Sequence, residues 1–346
     1  MMIDAHLDLA FSAQFYKRDL LNLMPNEIRA REIRDKLEYG QCTVTLPAMR
    51  QAGVALAFAT LFAEPAVQWT TPGVTNPHGY SNPEEAHAQA LAQLALYEDW
   101  EARKAVRIVK SRADLEHHLL LWQRDRKTGL VILMEGADPV RQPEELEYWF
   151  KRGVRILGTS WGRTRYAGGT EMPGGLTDIG RDLVAGVRDL GLILDASHQS
   201  WEAFWESIAL GTPKLIASHS NAFALRPTTN RHLTDAMLGA IAARDGRVGV
   251  VLLNSFLEPR WTRQDRRVPV TFAKQVRAHL EHMAGIIGWE RVGIGSDSDG
   301  GFGAAEAPAE YDTIADLQKI ADIVPQEHAA GVLGGNWLTY LQKNLP

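Results

Sequence analysis

Short runs of aliphatic and β-branched residues alternate along the chain with longer stretches of helical periodicity, the pattern of repeated strand and helix units that build a parallel sheet. Eight runs read as barrel strands: residues 3–8, 54–62, 130–135, 154–159, 192–197, 214–218, 247–253 and 291–296. A ninth run, Val106-Arg107-Ile108-Val109, is short and reads as an accessory strand. Helical patterns fill the gaps. The one over 84–104 opens with Asn82-Pro83-Glu84-Glu85, which supplies an N-cap, a proline at the first helical position and an acid three residues after the cap. Others cover 183–190, 201–209, 235–244 and 272–287. No boundary has a linker composition and no segment repeats. The expectation is therefore one α/β domain over residues 1–346, a (β/α)8 barrel of the TIM type. Residues 64–83, rich in Pro, Gly, Asn and Thr, are too many for a plain connection and are expected at the rim of a substrate pocket, with a mobile surface excursion as the alternative.

A chain of 346 residues that is 45% hydrophobic and 23% charged is long enough to bury one large core. Its net charge of -5 and its pI near 6.1 argue against nucleic acid or an anionic membrane as the main partner, which leaves small polar substrates. Cys42 is the only cysteine, so neither an intrachain disulfide nor a cysteine metal cluster is available. The first strand is expected to begin near Ile3, and no leader is expected before it. No apolar segment reaches the roughly 20 residues that span a bilayer, and a cytoplasmic location is expected. A homodimer is the expectation that twofold symmetry sets for soluble proteins in general.

Catalytic groups of such barrels sit at the C-terminal ends of the strands. His6 and Asp8 end the first run, and strand alternation aims both side chains the same way. An isolated pair of this kind reads as a buried histidine bonded to an acid. Here four later runs also end in metal-type ligands: Glu135, His198, His219 and Asp297. Six ligands exceed what one tetrahedral zinc takes. They point to a two-metal centre with Glu135 as the bridging carboxylate and ions roughly 3.5 to 4 Å apart around a shared hydroxide, for which hydrolysis is the natural output. Asp4 reads as a structural acid behind His6, and Asp299 as a residue of the glycine-rich loop beyond the last strand. His279 and His282 flank Glu281, but His-Leu-Glu-His is not the zinc-protease order, and these residues are expected on a solvated helix face, with His87 and His117-His118 in similar settings. Two other classes stay open at this point. A phosphate-binding isomerase or aldolase would use the glycines of 295–303, although Lys214 starts its strand and no lysine ends one for a Schiff base. A catalytically silent, ligand-binding barrel is the other.

Asp4-Ala5-His6-Leu7-Asp8, Glu135-Gly136, Asp195-Ala196-Ser197-His198, Ser218-His219-Ser220-Asn221, Gly295-Ser296-Asp297-Ser298-Asp299-Gly300 and Gly334-Gly335-Asn336-Trp337, in that order, resemble the membrane (renal) dipeptidase family of the amidohydrolase superfamily. The resemblance implies a zinc-dependent hydrolase of dipeptides with a free carboxylate. It implies two Zn2+ per chain, one held by His6, Asp8 and Glu135 and the other by Glu135, His198 and His219, with Asp297 against the bridging hydroxide. It also implies that Arg231, in Asn230-Arg231-His232-Leu233-Thr234-Asp235, grips the substrate carboxylate, a task suited to a planar, bidentate guanidinium. An ion pair with Asp235 is the structural alternative for Arg231. One departure stands out. The family usually carries a histidine after the fourth strand to polarise the scissile carbonyl, whereas the run Ile156-Leu157-Gly158-Thr159-Ser160-Trp161 puts Trp161 there, and an indole N–H donates without charge. Either Arg163, Arg165 or Tyr166 takes over that role, or the metals act alone, or the substrate is another small amide or a lactam.

Overall fold

The structure is a computed structural model that describes residues 1–37, 41–66, 79–227, 229–264 and 269–346. Its strands are β1 (Met2–Leu7), β2 (Val54–Phe62), β3 (Arg107–Ile108), β4 (Gly129–Glu135), β5 (Val154–Gly158), β6 (Ala167–Gly169), β7 (Met172–Leu176), β8 (Ile193–Asp195), β9 (Leu215–Ile216), β10 (Val248–Val250) and β11 (Val292–Ile294). Eight of them pair in the order β10-β11-β1-β2-β4-β5-β8-β9, and all of these pairs are parallel. The ring closes where Ala217 faces Val248. There the Ala217 amide donates to Arg247 O at 2.9 Å, and Ala217 O accepts from the Gly249 amide at 2.9 Å. The accessory β3 joins β4 at Gly129 and Leu130, on the stretch that β5 does not reach.

Strands buried on both faces carry unbroken apolar sequence, and every residue of Val54–Phe62 is buried. Alternation then sorts the side chains. Leu56 and Phe58, Val131 and Leu133, Ile156, Ile193 and Ile216 gather in one apolar cluster with Trp337. The opposite parity, Ala57, Ala59 and Leu61 with Leu130, Ile132 and Met134, packs into a second cluster shared with the helices. Trp337 donates its indole N–H to Ile294 O at 3.0 Å, and Gly293 leaves room for the ring: a Cβ there would sit 2.3 Å from Trp337 Nε1. The first parity, followed toward the strand ends, reaches Thr60 and Phe62 on β2, Glu135 on β4, Asp195 on β8 and Ser218 just past β9. The fold thus delivers polar groups to one mouth.

The helix Pro83–Ala102 is capped as its sequence predicts, with the Asn82 side chain accepting from the Glu85 amide at 2.9 Å. Helices Asp178–Asp189, Trp201–Ala209 and Asp235–Ala242 follow, and Arg277–Ile287 begins after a π turn over Phe272–Val276. Several strands are shorter than their apolar runs. Beyond Val250 the chain stays buried but leaves the ladder, because the Asn221 side chain accepts from the Val251 amide at 2.9 Å and donates to its carbonyl at 3.2 Å. Helices Leu9–Phe15, Pro25–Arg34 and Leu46–Ala52 and the antiparallel hairpin of β6 and β7 are additional to the sequence pattern. Of the expected rim, Pro65 bridges to Tyr80, and residues 67–78 lie outside the described residues. His279 is a correction: it is buried rather than solvated, and its Nδ1 accepts from the Ala222 amide at 3.2 Å. His118 is likewise buried and donates to Ala55 O. No helix among the described residues is long and apolar enough to cross a membrane.

Candidate metal centre

All five expected ligands converge on the barrel mouth. Ligand atoms of His6, Asp8 and Glu135 lie within 4.8 Å of one another, and so do those of Glu135, His198 and His219. Glu135 belongs to both sets through different atoms. Its Oε2 stands 3.2 Å from His6 Nε2, whereas its Oε1 stands 3.2 Å from His198 Nε2 and 3.3 Å from His219 Nε2. Asp8 Oδ1 and Asp297 Oδ1 each lie 4.0 Å from His6 Nε2. Ligand atoms placed tetrahedrally around zinc at 2.0 to 2.1 Å are separated by about 3.3 Å, the spacing seen around Oε1.

The local chain is built to hold these groups. β1 slips in register against β2 between Asp4 and Leu7, the stretch that carries His6. Asp4 bonds the Ser296 amide at 2.9 Å, its hydroxyl at 2.6 Å and the His6 amide at 3.3 Å, tying the ends of β1 and β11 together. Asp8 accepts from the Thr60 hydroxyl. His198 and Asp297 have φ of 66° and 59°, left-handed conformations that cost energy for any residue with a Cβ and that concentrate at functional sites. Asp299, also left-handed, is spent on structure: its carboxylate takes the amides of Thr43 and Val44 and pairs with Arg18 at 3.2 Å.

Hydrogen-bond accounting assigns the imidazole tautomers. A serine hydroxyl has one proton and two lone pairs. Ser218 Oγ gives its proton to Asp195, which leaves it to accept from His219 Nδ1 at 2.8 Å and His6 Nδ1 at 3.2 Å. Both rings then carry a proton on Nδ1 and turn Nε2 inward, and for His219, whose pKa is held low, that Nε2 is bare. His198 Nδ1 meets Thr170 Oγ1 at 2.9 Å, which supports the same tautomer. His198 Nε2 and His219 Nε2, 2.9 Å apart, consequently present two lone pairs to each other, an arrangement that a shared cation stabilises and that suits metal-ligating histidines held from behind.

Burial pulls His198 down to about 4, with the Arg231 charge adding to it, and holds His219 well below its usual value. Burial opposes ionisation of Glu135, but the His6 charge beside it holds it well below the carboxylate range. For His6 burial acts downward, yet the Glu135 charge lifts it to about 10. Burial and the neighbouring Glu135 charge push Asp8 up to about 6, and burial carries Asp297 well above its usual value. His198 and His219, neutral beside an ionised Glu135, are in the protonation states a metal requires, whereas His6 would give up its second proton to an ion.

Arg231 is only 3% exposed. It donates from Nη1 to Ser220 Oγ at 2.9 Å and from Nη2 to His219 O at 2.7 Å, while its buried Nε meets no partner. Asp235 pairs with His282 at 2.8 Å instead, so the helix-end ion pair is not formed. Trp161 stands beside the centre with its ring 6.2 Å from that of His198 and 5.4 Å from that of Phe62. The proposed substitutes for a histidine there are committed elsewhere: Arg163 donates to Pro173 O, Arg165 to Arg141 O and Val140 O, and the Tyr166 hydroxyl to Val140 O. Lys214 donates to Gly191 O and Asn344 O, away from the mouth. Gly295, where a Cβ would lie 1.8 Å from Ser218 O, is explained by close packing rather than by a phosphate.

A closed parallel barrel with this donor set defines a metallohydrolase of the dipeptidase type. Comparison with known proteins gives the family: the membrane dipeptidase family (Peptidase family M19) matches residues 1–344, and the chain belongs to it. A Klebsiella pneumoniae protein, described only as an uncharacterized protein in the pqqA 5' region, is 32% identical over 270 residues, covering 72% of this chain and 94% of its own. The dipeptidase aclJ of Aspergillus oryzae is 26% identical, covering 98% of this chain and 77% of its own. Among solved structures, the dipeptidase AC, a metallopeptidase, superposes with a TM-score of 0.76 at 27% identity over 99% of this chain and 98% of its own. A Rhodobacter sphaeroides metallopeptidase, solved with a phosphinate mimic of the dipeptide L-Ala-D-Ala, gives 0.76 at 25% identity over 99% of both chains.

Proposed function

We propose that this chain, acting as one barrel domain over residues 1–346, hydrolyses the amide bond of a dipeptide with a free C-terminal carboxylate. One zinc ion would be held by His6, Asp8 and Glu135 and a second by Glu135, His198 and His219. The observation that carries the reading is the division of Glu135, with Oε2 toward His6 and Oε1 toward His198 and His219. The Rhodobacter sphaeroides relative, which was solved with a dipeptide mimic, supports the substrate class. Two divalent ions so held would supply the lowered water pKa and the carbonyl polarisation that amide hydrolysis needs.

The chain's own residues account for the rest. Arg231, buried and with an unspent Nε–H, is a fixed cation for the substrate carboxylate, and its contacts to Ser220 and His219 hold the fork in place. Asp297 Oδ1 takes the proton of the attacking water as the new C–O bond forms and passes it to the leaving amine as the C–N bond breaks. Its raised pKa, caused first by burial, suits a group that must hold that proton between the two events. Elemental analysis of protein purified without added metal, with dipeptide turnover before and after chelation, tests the reading. Two equivalents of zinc, with turnover lost on chelation and regained with zinc, are expected. Full turnover by the chelated protein would overturn it, and turnover of lactams without dipeptides would move the substrate.

A further inference from the structure

The mouth of the barrel is chemically two-sided. Around the ring Phe62 ends β2, Glu135 ends β4 and the Trp161 segment follows β5, whereas Arg231 belongs to the segment after β9 and Asp297 follows β11. The two aromatic residues therefore flank the strand of Glu135, and the cation that suits a carboxylate follows a strand half a turn of the barrel from that of Phe62 and a quarter turn from that of Trp161. Phe62 is the register partner of Glu135, so its ring rises on the same face as that carboxylate. Its ring packs 5.4 Å from Trp161 and 5.3 Å from Phe11, giving a continuous aromatic wall from the first helix to the His198 edge.

The space beside this wall is apolar where it is uncommitted. Ala63, Pro65, Gly136 and Pro139 line the cleft next to Trp161. Its charged neighbours are already engaged: Asp138 accepts from the Tyr80 hydroxyl and the Arg165 amide, and Arg163 is turned to Pro173 O. Gly136, at φ 75°, directly follows Glu135 and lies against Trp161, so the wall adjoins the ligands themselves.

We propose that Phe62 and Trp161 form the subsite for the N-terminal residue of the substrate and select a bulky apolar, above all aromatic, side chain there. The inference rests on the dipeptidase reading above: with the C-terminal carboxylate on Arg231, the other residue of a dipeptide extends past the metal ligands toward the strands of Glu135 and Phe62. An aromatic side chain would stack on the indole and be removed from water, whereas a charged one would lose hydration against the rings of Phe62 and Trp161.

The test uses metal-loaded enzyme and a series of dipeptides with C-terminal alanine and Gly, Ala, Leu, Phe, Asp or Lys at the N-terminus. The expected kcat/KM for Phe-Ala exceeds that for Gly-Ala by about tenfold or more, on the scale at which apolar pockets discriminate. Trp161→Ala and, separately, Phe62→Ala should each shrink that ratio severalfold. A ratio within one preparation does not depend on the fraction of correctly folded protein. The same order is expected in the Kd of non-cleavable phosphinate analogues, a readout independent of turnover. A wild-type ratio near one, a preference for Asp or Lys, or a high ratio that both variants keep would overturn the proposal. If no dipeptide of the series is cleaved while the analogues still bind in the expected order, the hydrolytic reading fails and the subsite stands.

Discussion

Replacing Thr170 with valine keeps the branched shape of the side chain and removes the hydroxyl that meets His198 Nδ1 at 2.9 Å. The Nδ1–H then has no partner, and the ring is free to rotate away from the position in which Nε2 faces Glu135. Partners behind a metal-ligating imidazole are worth about 10- to 100-fold in metal affinity, or about 1.4 to 2.7 kcal/mol. Thr170 is half-buried, so water can take part of the load, and the lower figure of about tenfold is expected. The loss should fall on one ion, because the hydrogen bonds and ion pairs of His6 and Asp8 run to Asp4, Ser218, Glu135, Asp297 and Thr60 and not to the hairpin that carries Thr170. Zinc competition against a chromophoric chelator, resolved into two binding steps, measures it, and Thr170→Ser should restore the wild-type value. Asn230→Ala should act in the same direction: that side chain accepts from the Glu171 amide at 2.7 Å and donates to Gly169 O at 3.0 Å, latching the hairpin turn beside Arg231. Unchanged affinity in both steps, or equal weakening of both, would refute the coupling of Thr170 to one ion.

Asp297→Asn should lower turnover by about 10²- to 10⁴-fold, the usual range for general acid-base help, while zinc content stays at the wild-type level; an active variant would remove Asp297 from the chemistry. Arg231→Ala should weaken selection of a free carboxylate by about 1.5 to 3 kcal/mol, the range for a hydrogen bond to a charged group. Amidating the substrate should cost the wild type a similar amount and the variant little more, and additive losses would show that the two groups do not meet. His279, held down to about 4 by burial first and by the His282 charge as well, is kept neutral by the fold, with Nδ1 accepting from the Ala222 amide. Its folded pKa is lowered, so the stability it contributes is complete above its unfolded pKa near 6.5 and drains away as pH falls toward 4, at about 1.4 kcal/mol per pH unit. Urea unfolding of chelated protein at pH 7 and pH 5 should therefore differ by about 2 kcal/mol more for the wild type than for His279→Gln, and equal pH slopes would sink the idea.

The barrel is legible in the sequence because strands shielded on both faces need unbroken apolar runs, and the helices between them need a different period. Where pairing stops is not legible. Val251 is as apolar as Val250, yet only the second is in the ladder, since the deciding contact comes from Asn221, thirty residues earlier in the chain. The hairpin of β6 and β7 hides for a related reason. Its glycines read as a loop, but they are there because the backbone is crowded: a Cβ on Gly169 would lie 2.2 Å from Gly162 O. His279 and His118 mislead in the other direction. A histidine in a charged helix looks solvated by composition, while its position on the buried stripe decides otherwise.

The ligands themselves are legible because a parallel barrel collects the C-terminal ends of its strands, so ordering the residues along the chain nearly orders them around the mouth. What sequence withholds is the layer that sets their protonation. Ser218 looks like one serine in Ser218-His219-Ser220, yet its single proton, spent on Asp195, obliges both His6 and His219 to carry theirs on Nδ1. That inference needs three contacts spread across β1, β8 and β9, and no spacing encodes it. Trp161 shows the same limit from the functional side. Its position after the fourth barrel run is readable, and so is the loss of a cationic donor. Only the structure shows that Arg163, Arg165 and Tyr166 each donate to a backbone carbonyl and that the strand end carries an aromatic surface.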